Sequence, residues 1–438
     1  MGENGHTLVD AAALEAERLS SNGGAWNADA RQSALQALAS TGLPGLKDED
    51  WRFTPLQSLE RTAWVAAGKP QLSTDSADSG DSADSIYIEG LDAVRIVVVD
   101  GYLMEVPDKL PDGLELLRGD RDVAFAAEQL DRSRAFELLN LAATPEPFLL
   151  KVSRPVEQIV HLVHMSSSSD TPRLASPRIR VEVQAQASLH LIEDHRAAPG
   201  STDLVNLHVD LEAGQNAQVR WTRLVRTGVE HRHLARMQVR QARDSVVRMQ
   251  VVTLAGALVR HDVAVLLEGS NAECVLHGLV VGEGAQIADN HSVIRHRADH
   301  TRSAEHFRNV LDGSSRAVFA GRVVVEKGRR ASEALQSNAN LLLSDTARVD
   351  ALPQLEIYND DVKASHGSTL GRLDADSMFY LRSRGIDEPT ARAILTWAFA
   401  NVVVEEIAAD AIRALVRQDL FRHLPGAGID ESVLGGLE

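Results

Sequence analysis

The chain carries one cysteine, Cys274, among 438 residues. A lone thiol excludes an internal disulfide framework, and equally a zinc or iron–sulfur site built from this chain's cysteines alone. Aromatic residues are scarce at 4%, although hydrophobic residues reach 44%. The core must therefore be assembled from Val, Leu, Ala and Ile. Basic residues are also short, 45 Lys and Arg against 62 Asp and Glu, for a formal net charge of −17. That balance argues against nucleic acid, whose phosphates need an excess of Lys and Arg, and against anionic lipid. No stretch of eighteen uninterrupted apolar residues occurs, and the start lacks the basic and long apolar runs of a signal peptide. The expectation is a cytoplasmic chain with no membrane span. Three catalytic signatures are missing too: G-x-x-x-x-G-K-[ST], G-x-S-x-G and H-E-x-x-H. With no phosphate-cradling loop, the chain is not expected to bind nucleotide.

What is present falls into three parts. Residues 1–146 read as a helical and mixed region. Residues 8–38 have a helical apolar spacing (Leu14, Leu19, Leu35, Leu38), followed by the compact turn KDEDWRFTPL at 47–56. Residues 73–85, STDSADSGDSADS, are acidic and low in complexity, the composition of a flexible linker or loop. RIVVV at 95–99 reads as a buried strand ending at Asp100-Gly101, and a second helical region is predicted over 123–142.

From 147 to 385 short β-branched runs dominate: 179–183, 204–211, 219–224, 246–254, 263–267, 318–325 and 340–343. A loose recurrence links them. An apolar–Glu pair, a Gly/Asn turn, an Ala and a new strand appear at Leu211–Val219, again at Leu267–Val275, and more weakly from Val325 to Ala331. At 438 residues the chain exceeds one ordinary compact domain unless it forms an extended β architecture. Spacing alone fits a β-solenoid and a β-sandwich about equally. Beyond Gly385 the helical period returns, with Asp387 as N-cap, Pro389 just inside, and a second helix over 409–424 before Pro425.

Paired histidines are weak signals. His296 and His300, His161 and His164, and His231 and His233 all read as packed or solvated residues. The stretch LEIYNDDVKASHGSTLG at 355–371 differs, because Asp360, Asp361 and His366 offer oxygen and imidazole ligands close together. Gly367 beside them permits a turn or a close backbone approach. By residue type alone, a turn with a hydrogen-bonded histidine explains the segment better than a metal site does.

The pattern P-x-L-E-I-x-x-D-D-V-x-x-S-H-G-S-T-x-G-x-L-D, then F-Y-L-R-S-R-G-I and an amphipathic helix, spans residues 353–407. It resembles the shared core of the SufB/SufD family of SUF iron–sulfur cluster assembly proteins. Residues 309–343, with Gln336, Asn338, Asn340 and a Leu run, extend the likeness. WRFTPL at 51–56 resembles the W-[KR]-[YF]-T element of SufD-like members.

The resemblance implies a mainly β fold, a right-handed parallel β-helix with helical N-terminal and C-terminal regions. It implies a non-catalytic scaffold that pairs with SufB through final β-helix strands and docks the SufC ATPase through the helices at 386–438. A SufD homodimer is a further expectation. The cargo would be transient iron or an iron–sulfur cluster shared with the partner, with His366 as ligand and Asp360 and Asp361 beside it. Many relatives read V-K-C-S-H-G where this chain has Ala364, so the sulfur ligands would come from SufB. A SufB-like assignment fails for want of thiols, and Cys274, in an alternating strand, reads as a small buried hydrophobe. The alternatives outside the family are a solenoid interaction module with no metal role and a solenoid enzyme acting on polysaccharide.

Overall fold

The computed structural model describes residues 6–21, 28–70, 86–119 and 134–423. The acidic stretch at 73–85, the segment 123–133 of the second helical region and Leu424 lie outside them.

Two sheets of 12 and 10 strands run the length of the molecule. Through the coils each turn of the chain gives one strand to each sheet, so successive strands alternate between sheets and neighbours within a sheet pair in parallel. Among the described residues only the strands Tyr102–Glu105 and Leu114–Arg118, at the first end, pair antiparallel with their neighbours. One register column reads Ser188, Gln218, Val246, Glu273, Arg302, Glu333 and Lys363. Each coil therefore takes 27 to 31 residues, and the whole is a β-solenoid of about eight turns. The sandwich reading is excluded, because a sandwich is built of antiparallel strands.

The corners explain the repeat. Two residues before each of the first six members of that column the backbone turns left-handed, at Gln186, Asn216, Asp244, Asn271, His300 and Ala331, with φ between 54° and 65°. The next residue is small and buried every time: Ala187, Ala217, Ser245, Ala272, Thr301 and Ser332. Backbone N–H groups at these corners donate to a carbonyl of the following coil, as from Asn216 to Arg243 and from Ala331 to Asp361. A tight corner needs φ > 0, which Asn and Asp tolerate best, and only a small side chain fits beneath the stacked turn.

Val, Leu and Ile fill the interior between the sheets. Helices cover both outer faces. Leu8–Ser21, Ala28–Thr41 and Ala135–Ala143 pack on one sheet through Leu174, Leu204, Leu234 and Leu258. Glu388–Val404 and Asp410–His423 pack on the other through Ile192, Leu224, Val252 and Leu279. Asp387 caps the first of these by accepting from the Thr390 N–H, as expected. The helical spacing predicted over 8–38 is thus divided between two helices, and RIVVV lies in the strand Ala93–Val99, which pairs in parallel with Ile159–Ser166.

WRFTPL clamps the amino-terminal region to the solenoid. Trp51 is buried with Arg260 3.8 Å over its ring, and the Thr54 hydroxyl donates to buried Asp289. Arg260 bonds Asp289 at 2.5 Å, the Asp50 carbonyl at 2.7 Å and both oxygens of Asp262.

Candidate functional site at the open end of the solenoid

Among the described residues the last coil stops without a cover. Val362–Gly371 pairs with Ser332–Leu342 on one side, and its other edge has no partner among the described residues. The other sheet ends similarly, where Arg348–Ala351 and Gln354–Ile357 both pair with Arg316–Val325. Around this end stand Ile357, Tyr358 and Leu370, and the helix Ala375–Ser383 exposes Phe379 and Tyr380. An unpaired parallel edge flanked by exposed apolar side chains is able to accept an added strand.

His366 lies on this last strand, in register with Gln336. One column runs inward from it: Gln336, Glu305, Leu276, Met249 and Trp221, all buried. Strand alternation places His366 on the face that Val362 and Ala364 turn to the core. The interior is apolar along most of this column and becomes polar in its last coils. The Gln336 amide donates to Glu305 at 2.7 Å, and burial holds that carboxyl above the usual range while bonds from Ser292 and Gln336 counter the shift. The motif residues Asn338 and Asn340 brace the last coil: Asn340 donates to Asn338 at 2.6 Å and to the Thr369 carbonyl at 2.9 Å. Ser368 donates to Asn338 at 3.3 Å.

The aspartates are placed differently. Asp361 stands at the corner, its carboxylate accepting from the Ala331 N–H at 3.2 Å, and Asp360 is exposed beside it. His366 lies five residues farther along an extended strand, about 17 Å at the usual rise. Within this chain the three residues do not converge on one point. Gly367 sits in the strand rather than in a turn, and a Cβ there would meet nothing within 4 Å among the described residues. Its open face leaves room for close approach from outside.

Ala364 tops a second inward column, above Ala334, Ser303 and Cys274. Cys274 is fully buried, and burial, with Glu305 and Glu273 nearby, pushes its thiol well up. It has the character of the small hydrophobe expected from its alternating strand. His296 bonds the hydroxyls of Thr301 and Ser303, and His300 serves as a left-handed corner, so this pair is structural. His231 and His233 are both fully buried.

The model of the SUF system FeS cluster assembly SufBD core domain matches residues 164–399. An iron–sulfur cluster assembly SufBD family protein of Synechocystis is 30% identical over 409 residues, covering 89% of each chain. The iron–sulfur cluster assembly protein SufD of Escherichia coli is 28% identical, over 90% of this chain and 92% of its own. SufD of Bacillus subtilis is 27% identical over 59% of each. With more than half the chain inside the core model, and a SufBD protein similar from near one end to near the other, this solenoid belongs to the SufBD family and serves iron–sulfur cluster assembly.

Proposed function

We propose that the chain is the SufD-type subunit of a complex with SufB and SufC, working as a scaffold rather than as a catalyst. The observation that carries this reading is the open end, where an unpaired parallel strand presents His366 on a polar inner column. A second solenoid docking there by strand addition would continue both sheets and cover the exposed apolar rim. His366 would then face the partner's interior and act as one ligand of iron or a nascent cluster. Thiolates would come from SufB, since Ala364 and buried Cys274 offer none. Asp360 could contribute only from the rim. SufC would dock at the carboxy-terminal region 386–438, whose helix Glu388–Val404 packs beside the helix that exposes Phe379 and Tyr380. ATP hydrolysis belongs to SufC in this scheme. Among the described residues no helix is long and apolar enough to cross a membrane, and work in the cytoplasm remains part of the proposal.

Anaerobic co-expression with SufB and SufC tests the assignment. Leu370→Lys, which places a charge on the edge strand, is expected to release this chain from SufB. His366→Ala is expected to leave the complex assembled and to lower its iron, sulfide and visible absorbance. Unchanged cluster content in His366→Ala would remove the ligand role, and ATP turnover by the isolated chain would remove the scaffold assignment. A homodimer through the same edge would show as doubled mass without SufB, abolished by Leu370→Lys.

A further inference from the structure

Far from the open end, the first coils enclose another set of metal-ligating side chains. Parallel pairing of Ile159–Ser166 with Ser188–Ala197 puts His164 in register with His195, and their rings stack with centroids 4.4 Å apart. Glu193 precedes His195 by two residues, so strand alternation turns both side chains to the same face. His195 Nε2 lies 2.9 Å from Glu193 Oε1, and His164 Nε2 lies 3.7 Å from that same oxygen. One ligand atom from each of the three residues falls within 4.8 Å of the others. All three are buried.

Three further features coincide at this group. Neither ring nitrogen of His164 has a hydrogen bond among the described residues, although the side chain is buried. A buried orphan of this kind calls for an unseen water or ion. A cavity of about 10 Å³, room for roughly one water-sized sphere, adjoins it, with His164, His195, His231 and Thr227 in its wall. Finally, Glu193 is held from behind. Its Oε2 accepts from Trp221 Nε1 and Arg223 Nε, each at 2.8 Å, which leaves Oε1 facing the imidazoles. Such outer bonds fix the orientation of a ligating carboxylate. Arg223 also neutralises the carboxylate, which lowers the attraction for a cation, so the two imidazoles must supply much of the affinity.

We propose that His164, Glu193 and His195 bind one divalent first-row transition-metal ion inside the solenoid. Two imidazoles and one carboxylate with open positions form the ligand set characteristic of iron(II), and zinc and cobalt(II) accept it as well. The ion would take the place of the His195–Glu193 hydrogen bond and satisfy His164. This site is separate from His366 and does not depend on the partner subunits.

The test uses the full chain, expressed with iron, cobalt or zinc supplied, purified without oxygen and passed through a chelator column. About one equivalent of metal per chain is expected, equally in wild type and His366→Ala, and at least a ten-fold loss in His164→Gln. His164→Gln removes no existing hydrogen bond, so it should fold. Should it fail to fold, X-ray absorption of the wild-type cobalt form decides, with nitrogen and oxygen scatterers including imidazole expected. Less than a tenth of an equivalent in wild type with all three metals would overturn the site. Metal content unchanged by His164→Gln, or a sulfur scatterer in the cobalt form, would overturn it as well.

Discussion

Replacing Arg260 with Met should loosen the amino-terminal clamp while leaving the coils in place. Arg260 is buried, and its guanidinium bonds Asp289 at 2.5 Å, both oxygens of Asp262, and the Asp50 carbonyl, with Trp51 stacked at 3.8 Å. Met fills similar volume but leaves Asp289 buried with only the Thr54 hydroxyl and His291 beside it. Removing one partner of a buried ion pair costs about 3–5 kcal/mol, and loss of the stacked cation adds about 1 kcal/mol. The residual partners and the partial exposure of Asp262 reduce this to about 3 kcal/mol in all. Hydrogen exchange is the assay, because the loss is local to residues 45–62. At 1.4 kcal/mol per decade, amides there should exchange roughly a hundred-fold faster. The pH dependence supplies a second check. Burial alone would raise Asp289; in the wild type Arg260, with help from His291 and Thr54, outweighs it and holds the carboxyl low. Its contribution is therefore present above the unfolded value of 3.8 and is lost as pH falls below it. Without Arg260 burial prevails and the sign reverses, so the variant's deficit should shrink from pH 7 to pH 5. Asp289→Asn added to Arg260→Met should recover at least half of the protection. Exchange within three-fold of wild type, with a deficit independent of pH, would refute this account.

Ala331 occupies a left-handed corner at φ 54° without the Asn or Asp that eases the turn at Asn216, Asp244 and Asn271. Ala331→Gly should stabilise the chain by about 0.5–1 kcal/mol, the relief of strain exceeding glycine's added unfolded entropy, and should raise the unfolding temperature. Burial pushes His296 down to about 4. Its neutral form thus favours the native state above pH 6.5, and roughly 3 kcal/mol is lost as pH falls from 6.5 to 4; urea midpoints across that range, compared with His296→Asn, would measure it. Cys274 should resist thiol reagents in the native chain and react once urea unfolds it. Rapid native labelling would contradict its burial.

How far the sequence could be read depends on what faces inward. Strands with apolar inner faces, such as Gln218–Val225, Leu258–Leu267 and Arg316–Val325, are legible by alternation. Ser188–Ala197 and Arg302–Leu311 are not, because Glu193, His195 and Glu305 point to an interior that alternation assumes to be apolar. Their cost is met by partners stacked in register on neighbouring coils, and those partners are distant in sequence. The repeat was visible only at Leu211, Leu267 and Val325, which stand 56 and 58 residues apart, two coils rather than one. At the intervening corners Ser245 and Thr301 replace the Ala, and Asp244 and His300 supply the left-handed turn. The rule these corners obey concerns backbone angle and side-chain volume, which a pattern of residue names captures only in part.

The ligand segment shows the opposite case, in which the residues were visible and their geometry was not. Asp360, Asp361 and His366 look like a cluster because they are close in sequence, yet an extended strand separates what a helix or turn would gather. Asp361 is used at the corner, and His366 is aligned instead with Gln336 and Glu305, 30 and 61 residues earlier. Coil stacking makes those residues its neighbours. The same stacking sets Ala364 above Ala334, Ser303 and Cys274, so the column nearest the imidazole presents no exposed thiol at the open end. An imidazole at the rim of a polar interior, with no second ligand converging on it among the described residues, binds iron usefully only when another surface completes the set. In the proposed complex that requirement would couple cargo binding to strand pairing: an edge variant such as Leu370→Lys is expected to lose the cluster together with the partner, whereas His366→Ala is expected to lose the cluster alone.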